Sequence, residues 1–216
     1  MAGPLAATGR LIAIEGGEGA GKSTQAAGLA SALGADVTRE PGGTPLGERV
    51  RRLLLDPAAG HVDDWTELLL MLAARAQHLA ERIEPALQAG RHVVVDRYSG
   101  STLAYQGHGR GLPLDDVRRL CDLATRGRWA DLNVLIDVSI EVGAARRGGR
   151  HDATPDRFEA ETIRFHDRVR QGYLIEAASD PEHWLVVDGT GTTDDVASAI
   201  LAGVQERLGI DDAASR

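Results

Sequence analysis

Short apolar runs alternate along this chain with longer stretches in which apolar residues recur at helical spacing. The runs predict β-strands at residues 10–14, 35–39, 92–96, 133–137 and 184–187. HVVVD and NVLID are unbroken apolar runs that end in a carboxylate, Asp96 and Asp137, a pattern suited to central strands covered on both faces. The periodic stretches predict helices at 23–33, 45–55, 65–88, 99–106, 114–126, 141–147, 156–178 and 193–208. Strands alternating with helices give an α/β domain with a mostly parallel sheet. Ligands of such a domain bind at the C-terminal ends of the strands.

The turn after the first strand carries the most specific chemistry. Residues 16–23 read GGEGAGKS, a G-x-x-x-x-G-K-S P-loop. Its glycines let backbone N–H groups close on phosphate oxygens. Lys22 reaches the β- and γ-phosphates, and the Ser23 hydroxyl binds Mg²⁺. The strand before and the helix after supply the confirming context, and the helix N-terminus favours an anion. The plain alternative is a glycine-rich turn with an exposed lysine. Lys22 is the only lysine in the chain; the other 23 basic residues are arginines.

Composition narrows the function classes. With 216 residues, 43% hydrophobic, the chain can bury a full core as one domain. A net charge of −8 argues against broad nucleic-acid binding. One cysteine, Cys121, leaves no internal disulfide and fits a reducing, cytoplasmic setting. No apolar run is long enough to span a membrane, and the first residues lack the pattern of a signal peptide. Residues 1–9 therefore read as a disordered tail, 10–208 as a single domain, and 209–216 as a second tail.

Four further segments are candidates for a site at the strand ends. Residues 39–44, REPGGT, form a tight loop that is either a connection or a wall of an acceptor site. Asp96 and Arg97 close the third strand beside the P-loop. They are either a local salt bridge or a metal-binding carboxylate and a phosphate-gripping guanidinium. Arg75 lies beside the apolar residues of LLLMLAARAQHLAER, either snorkelling to the surface or pointing into the cleft. Residues 146–159, RRGGRHDATPDRFE, are an arginine-rich segment that is either a solvated loop or a lid. Spacing alone does not rank Arg146, Arg147, Arg150 and Arg157.

Together these pieces resemble the bacterial thymidylate kinases. IEGGEGAGKST, TREPGGTPLGE, LLLMLAARAQHLAERIEPAL, VVVDRYSGSTLAYQGHGRGL, DRFE and VDGTGTTDDVA occur in that family's order over most of the chain. The resemblance implies a P-loop NTPase fold, three α/β/α layers with a five-stranded parallel sheet surrounded by helices. It implies transfer of the γ-phosphoryl of MgATP to dTMP, in a homodimer. It implies that Gly16, Gly17, Glu18, Gly19, Ala20, Gly21, Lys22, Ser23 and Thr24 bind ATP, with Arg146 against adenine. It implies that Arg97 grips the dTMP phosphate, that Arg75 reads thymine, and that Tyr105 packs by the deoxyribose. Glu18, Pro41, Met71, Ser101, Thr102 and Gln106 complete that acceptor site. Lys22, Glu18, Arg97, Arg147 and Arg150 carry catalysis, and Ser23 and Asp96 hold the metal. Met71 departs from the family, which commonly has Phe there to stack on the base.

An ionised acceptor phosphate needs no general base, so positioning and charge neutralisation suffice. Another monophosphate, a nucleoside, or an ATP-dependent switch are the rival readings. A GTPase is excluded, since the lone Asn133 and the lone Lys22 do not form N-K-x-D.

Overall fold

Five strands, β1 (Leu11–Glu15), β2 (Asp36–Arg39), β3 (Val93–Asp96), β4 (Leu132–Asp137) and β5 (Trp184–Asp188), form one parallel sheet in the order β2-β3-β1-β4-β5. All five lie within two residues of the runs read from the sequence. The computed structural model describes residues 9–148 and 156–211. Most of both expected tails, and the middle of the lid segment with Arg150, lie outside those residues.

Successive residues of a strand face opposite sides, and the two sides of this sheet are both covered. Ile12, Ile14, Val94, Val134 and Ile136 pack against α1 (Lys22–Leu33) and α9 (Thr193–Leu208) through Leu29, Leu33, Val196 and Ile200. Leu11, Ala13, Val93 and Val95 face Leu79, Ile83 and Leu87 on the other side. That second layer also holds α2 (Pro45–Leu55), α6 (Leu114–Thr125) and α8 (Ile163–Ser179), while α7 (Ile140–Gly148) leads into the lid.

Three helices differ from expectation. The single helix expected over 65–88 is helical throughout but not uniformly α. It runs as α3 (Asp64–His78), a widened π turn (Leu79–Ile83) and α4 (Glu84–Gln88). The widened turn ends two residues before Pro85, whose missing N–H and bulky ring do not fit an unbroken α ladder. The helix expected over 99–106 begins as α5 (Ser99–Thr102) and continues in π geometry to Gly109 (Leu103–Gly109). The helix expected from 156 starts instead at Ile163, capped by the Thr162 side chain. Before it, Asp156 accepts from the N–H groups of Phe158 and Glu159 and holds a separate turn.

Candidate active site

The P-loop wraps the C-terminal end of β1. Gly16, Gly19 and Gly21 have φ of 145°, 78° and 88°, values that side chains disfavour. A Cβ on Gly19 would stand 2.2 Å from the carbonyl oxygen of Gly143, so this loop and α7 meet backbone to backbone. Lys22 is buried and its Nζ donates to the Gly17 carbonyl at 2.7 Å. Burial, with repulsion from Arg97, lowers its ammonium to about 8 despite Glu18 and Asp96 nearby. Gly17 and Ala20 complete the loop, and Thr24 is exposed on the first turn of α1. The Ser23 hydroxyl donates to Asp96 Oδ2 at 2.5 Å.

Beside this loop lies a cavity, open to solvent, between the ends of β1, β2 and β3 and the helices above them. All nine residues expected at the acceptor site line it: Glu18, Pro41, Met71, Arg75, Arg97, Ser101, Thr102, Tyr105 and Gln106. Glu40, Arg51, Leu55, Asp156 and Phe158 line it too, and sequence reasoning did not single them out for this site. Of these, Glu40 sits inside REPGGT and Phe158 inside DRFE, so the segments were legible where the individual residues were not.

Arg75 is buried, 3% exposed, which removes the snorkelling alternative. Its Nε donates to Glu40 Oε2 at 2.6 Å and its Nη2 to the Tyr98 carbonyl at 3.0 Å. Glu40 also meets His78 Nδ1 at 2.9 Å, and His78 Nε2 meets the Thr38 hydroxyl at 2.7 Å. Burial works to raise the Glu40 carboxyl, but Arg75 and His78 outweigh it and hold the carboxyl below the usual range. This Thr38–His78–Glu40 chain fixes Arg75 where it enters the cavity.

Arg97 adopts a left-handed backbone, φ 70°, at the end of β3. Its Nη2 donates to Glu18 Oε1 at 2.5 Å and to the Tyr105 hydroxyl at 3.0 Å, and Tyr105 donates on to Glu18 at 2.7 Å. Its Nη1 donates to the Gly16 carbonyl, Ser101 Oγ and the Tyr173 hydroxyl at 3.0, 3.2 and 3.2 Å. Arg97 thus pairs with Glu18, and the local Asp96–Arg97 bridge does not form. Burial alone would raise the Glu18 carboxyl; Arg97 and Lys22, with the Tyr105 hydroxyl, bring it down to about 2. Below this guanidinium lies a carboxylate that the sequence did not flag. Glu15, the last residue of β1, is fully buried, and burial raises its carboxyl against the opposing pull of Ser101 and Arg97.

The structure also separates the arginines of the lid segment. Arg147 lines a small cavity with Gly17, Glu18 and His166. Arg146 Nη2 donates to the Gly189 carbonyl at 2.8 Å, in the loop after β5. Arg157 turns to the acceptor side, where it binds the buried Glu67 at 2.5 Å and the Leu54 carbonyl at 2.9 Å. Glu67 in turn accepts from Gln106 and Arg110.

Comparison with known proteins bears on this arrangement. The family model described as thymidylate kinase matches residues 14–200. A thymidylate kinase of Thermomicrobium roseum is 50% identical over 200 residues, which covers 90% of this chain and 94% of that protein. One of Desulforapulum autotrophicum is 44% identical over 210 residues, covering 93% and 92%. Among solved structures, the thymidylate kinase from Ehrlichia chaffeensis matches with a TM-score of 0.73 at 31% identity, covering 92% of this chain and 99% of that one.

Proposed function

The chain belongs to the thymidylate kinase family, and from that premise we propose how its residues divide the work of phosphorylating dTMP with ATP to give dTDP and ADP. The observation that carries the proposal is the shared wall between the two half-sites. Glu18 lies in the P-loop, lines the acceptor cavity and pairs with Arg97, so a donor held by the loop and an acceptor held by Arg97 meet across it.

Gly16 to Thr24 cradle the triphosphate, and Arg146 lies against adenine. Arg97 grips the dTMP phosphate by parallel N–H bonds. Arg75 reads the base edge and Tyr105 packs by the sugar, while Pro41, Met71, Ser101, Thr102 and Gln106 shape the rest of the acceptor site. A dTMP phosphate oxygen attacks the γ-phosphorus as the bond to the β–γ bridging oxygen breaks. No proton need be removed, because the second pKa of a phosphate monoester is about 6. Lys22, with Arg147 and Arg150 of the lid, offsets charge on the moving phosphoryl group.

Ser23 and Asp96 fit Mg²⁺. They offer only hard oxygen donors, 2.5 Å apart at the phosphate-facing end of α1. Among the described residues no three His, Cys, Asp or Glu side chains cluster as a metal cage. That donor set suits an ion which keeps waters and shares substrate oxygens. When bound, the ion would supply Lewis-acid neutralisation of the phosphates. We further propose a cytoplasmic homodimer that engages neither nucleic acid nor membrane. No described helix is long and apolar enough to cross a bilayer, and the net charge is −8.

The test is ADP release from MgATP with each nucleoside monophosphate in turn. Strong stimulation by dTMP over dUMP, CMP, GMP and AMP is expected. A preference for another monophosphate would show that Met71 and its neighbours select a different base, and no stimulation by any would overturn the proposal.

A further inference from the structure

Arg97 has to hold its guanidinium in place before any phosphate arrives, in a backbone conformation that side chains resist. Two bonds donated by main-chain N–H groups stabilise that conformation. The Arg97 N–H donates to the Ile14 carbonyl at 2.9 Å, and the next N–H, of Tyr98, donates to Glu15 Oε1 at 2.9 Å. The other carboxylate oxygen, Glu15 Oε2, accepts from Ser101 Oγ at 2.5 Å and from the Tyr173 hydroxyl at 3.1 Å. These two hydroxyls lie 2.7 Å apart, and both accept from Arg97 Nη1.

An ionised carboxylate only accepts, so the Ser101 hydroxyl, the nearer of the two, donates to Glu15, and Tyr173 donates either to Glu15 or to Ser101 Oγ. Their lone pairs are then left facing Arg97. The opposite edge of the guanidinium, Nη2, meets Glu18 and Tyr105 on the cavity side. A Cβ on Gly100 would stand 2.9 Å from Glu15 Oε1, so the helix that carries Ser101 is seated directly on the carboxylate.

We infer that Glu15 is a positioning residue for the acceptor phosphate: it anchors the turn of Arg97 and polarises Ser101 and Tyr173 so that the guanidinium presents its Nη2 edge to the cavity. Glu18 is the exchangeable partner, released when the phosphate docks; Glu15 is the permanent one. The inference rests on Arg97 gripping the acceptor phosphate.

Glu15→Gln tests it with almost no change in shape. Glutamine has one oxygen and one NH₂, so one orientation sets a donor against the Tyr98 N–H, and the other removes the acceptor of the Ser101 and Tyr173 hydroxyls and strands a hydroxyl hydrogen. The Kd for dTMP should rise at least about tenfold, as for loss of a charge-assisted bond. The Kd for thymidine, which has no phosphate, should change less than about threefold. Tyr173→Phe removes one relay hydroxyl and should weaken dTMP in the same phosphate-selective way, by a smaller factor. It carries the test if Glu15→Gln does not fold. Equal losses for dTMP and thymidine, or no loss for dTMP, would overturn the inference. Arg97→Ala, measured alongside, separates the two layers. If it too fails to discriminate dTMP from thymidine, the assignment of Arg97 falls; if it alone discriminates, only the role of Glu15 falls.

Discussion

Lys22 is a buried ammonium whose surroundings already lower it to about 8. The folded value lies below the unfolded one of about 10.4, so the unfolded chain binds more protons between those limits. Stability from this group therefore rises with pH across that window. A bound triphosphate reverses the bias, because its charge favours the protonated lysine. ATP binding at about pH 8.5 should accordingly take up a fraction of a proton. Calorimetry in buffers of different ionisation enthalpy would measure it, and Lys22→Met should abolish it. Uptake that survives in the variant would assign the proton to another group. Arg75 calls for a paired design. Arg75→Ala strands the buried Glu40, and should cost about 3 kcal/mol of stability besides weakening dTMP. Arg75→Met with Glu40→Gln should recover most of the stability by denaturant titration, yet leave dTMP binding weak and ATP binding unchanged. At this scale the sequence exposed the cations better than their partners. Lys22, Arg75 and Arg97 stood out through motif and position, whereas Glu15 lies one residue past the run read as the first strand. Its function depends on Ser101 and Tyr173 approaching from distant segments, and no local pattern encodes that.

Among elements, the strands were legible because each buried run leaves little choice of structure. Ile12 and Ile14 face one layer and Leu11 and Ala13 the other, so the run has to be apolar throughout. Helix continuity was less legible. Apolar spacing carries through Pro85 and through Asp156, and gave no sign that one site widens the helix and the other replaces it with a turn. The start that the structure shows is marked locally by the Thr162 cap. The contact between the P-loop and α7 makes a prediction of its own. A Cβ on Gly143 would lie 2.4 Å from the carbonyl of Glu18, so one of the two backbones has to move. Gly143→Ala should cost about 1–3 kcal/mol by overpacking. It should also shift Arg146 and Arg147, one turn further along α7, away from the loop. Thermal melts should show the loss of stability, and the KM for ATP should rise more than that for dTMP. An unchanged KM for ATP would mean that α7 is free to move without disturbing the nucleotide.

For the whole molecule, the homodimer proposal has a physical basis in what the helical layer leaves uncovered. Leu46 and Leu53 on α2, Trp65 and Leu69 on α3 and Leu123 on α6 are exposed apolar side chains, with Leu69 at 55% and Leu123 at 74%. The three helices pack in series, α2 on α3 and α3 on α6. Exposed apolar residues gathered on adjoining helices mark an association surface, and a self-complementary face gives a closed two-fold pair. Two of these helices also build the acceptor cavity. α2 contributes Arg51 and Leu55, and α3 contributes Met71 and Arg75. Dimerisation would therefore brace the dTMP side of the enzyme and leave the P-loop side alone. Leu53→Glu with Leu69→Glu should halve the mass measured by light scattering. The monomer should bind dTMP more weakly while its affinity for ATP holds. If the unaltered protein already runs as a monomer at micromolar concentration, the dimer proposal fails. If the charged variant becomes monomeric with dTMP affinity intact, the pair forms but does not support the acceptor site.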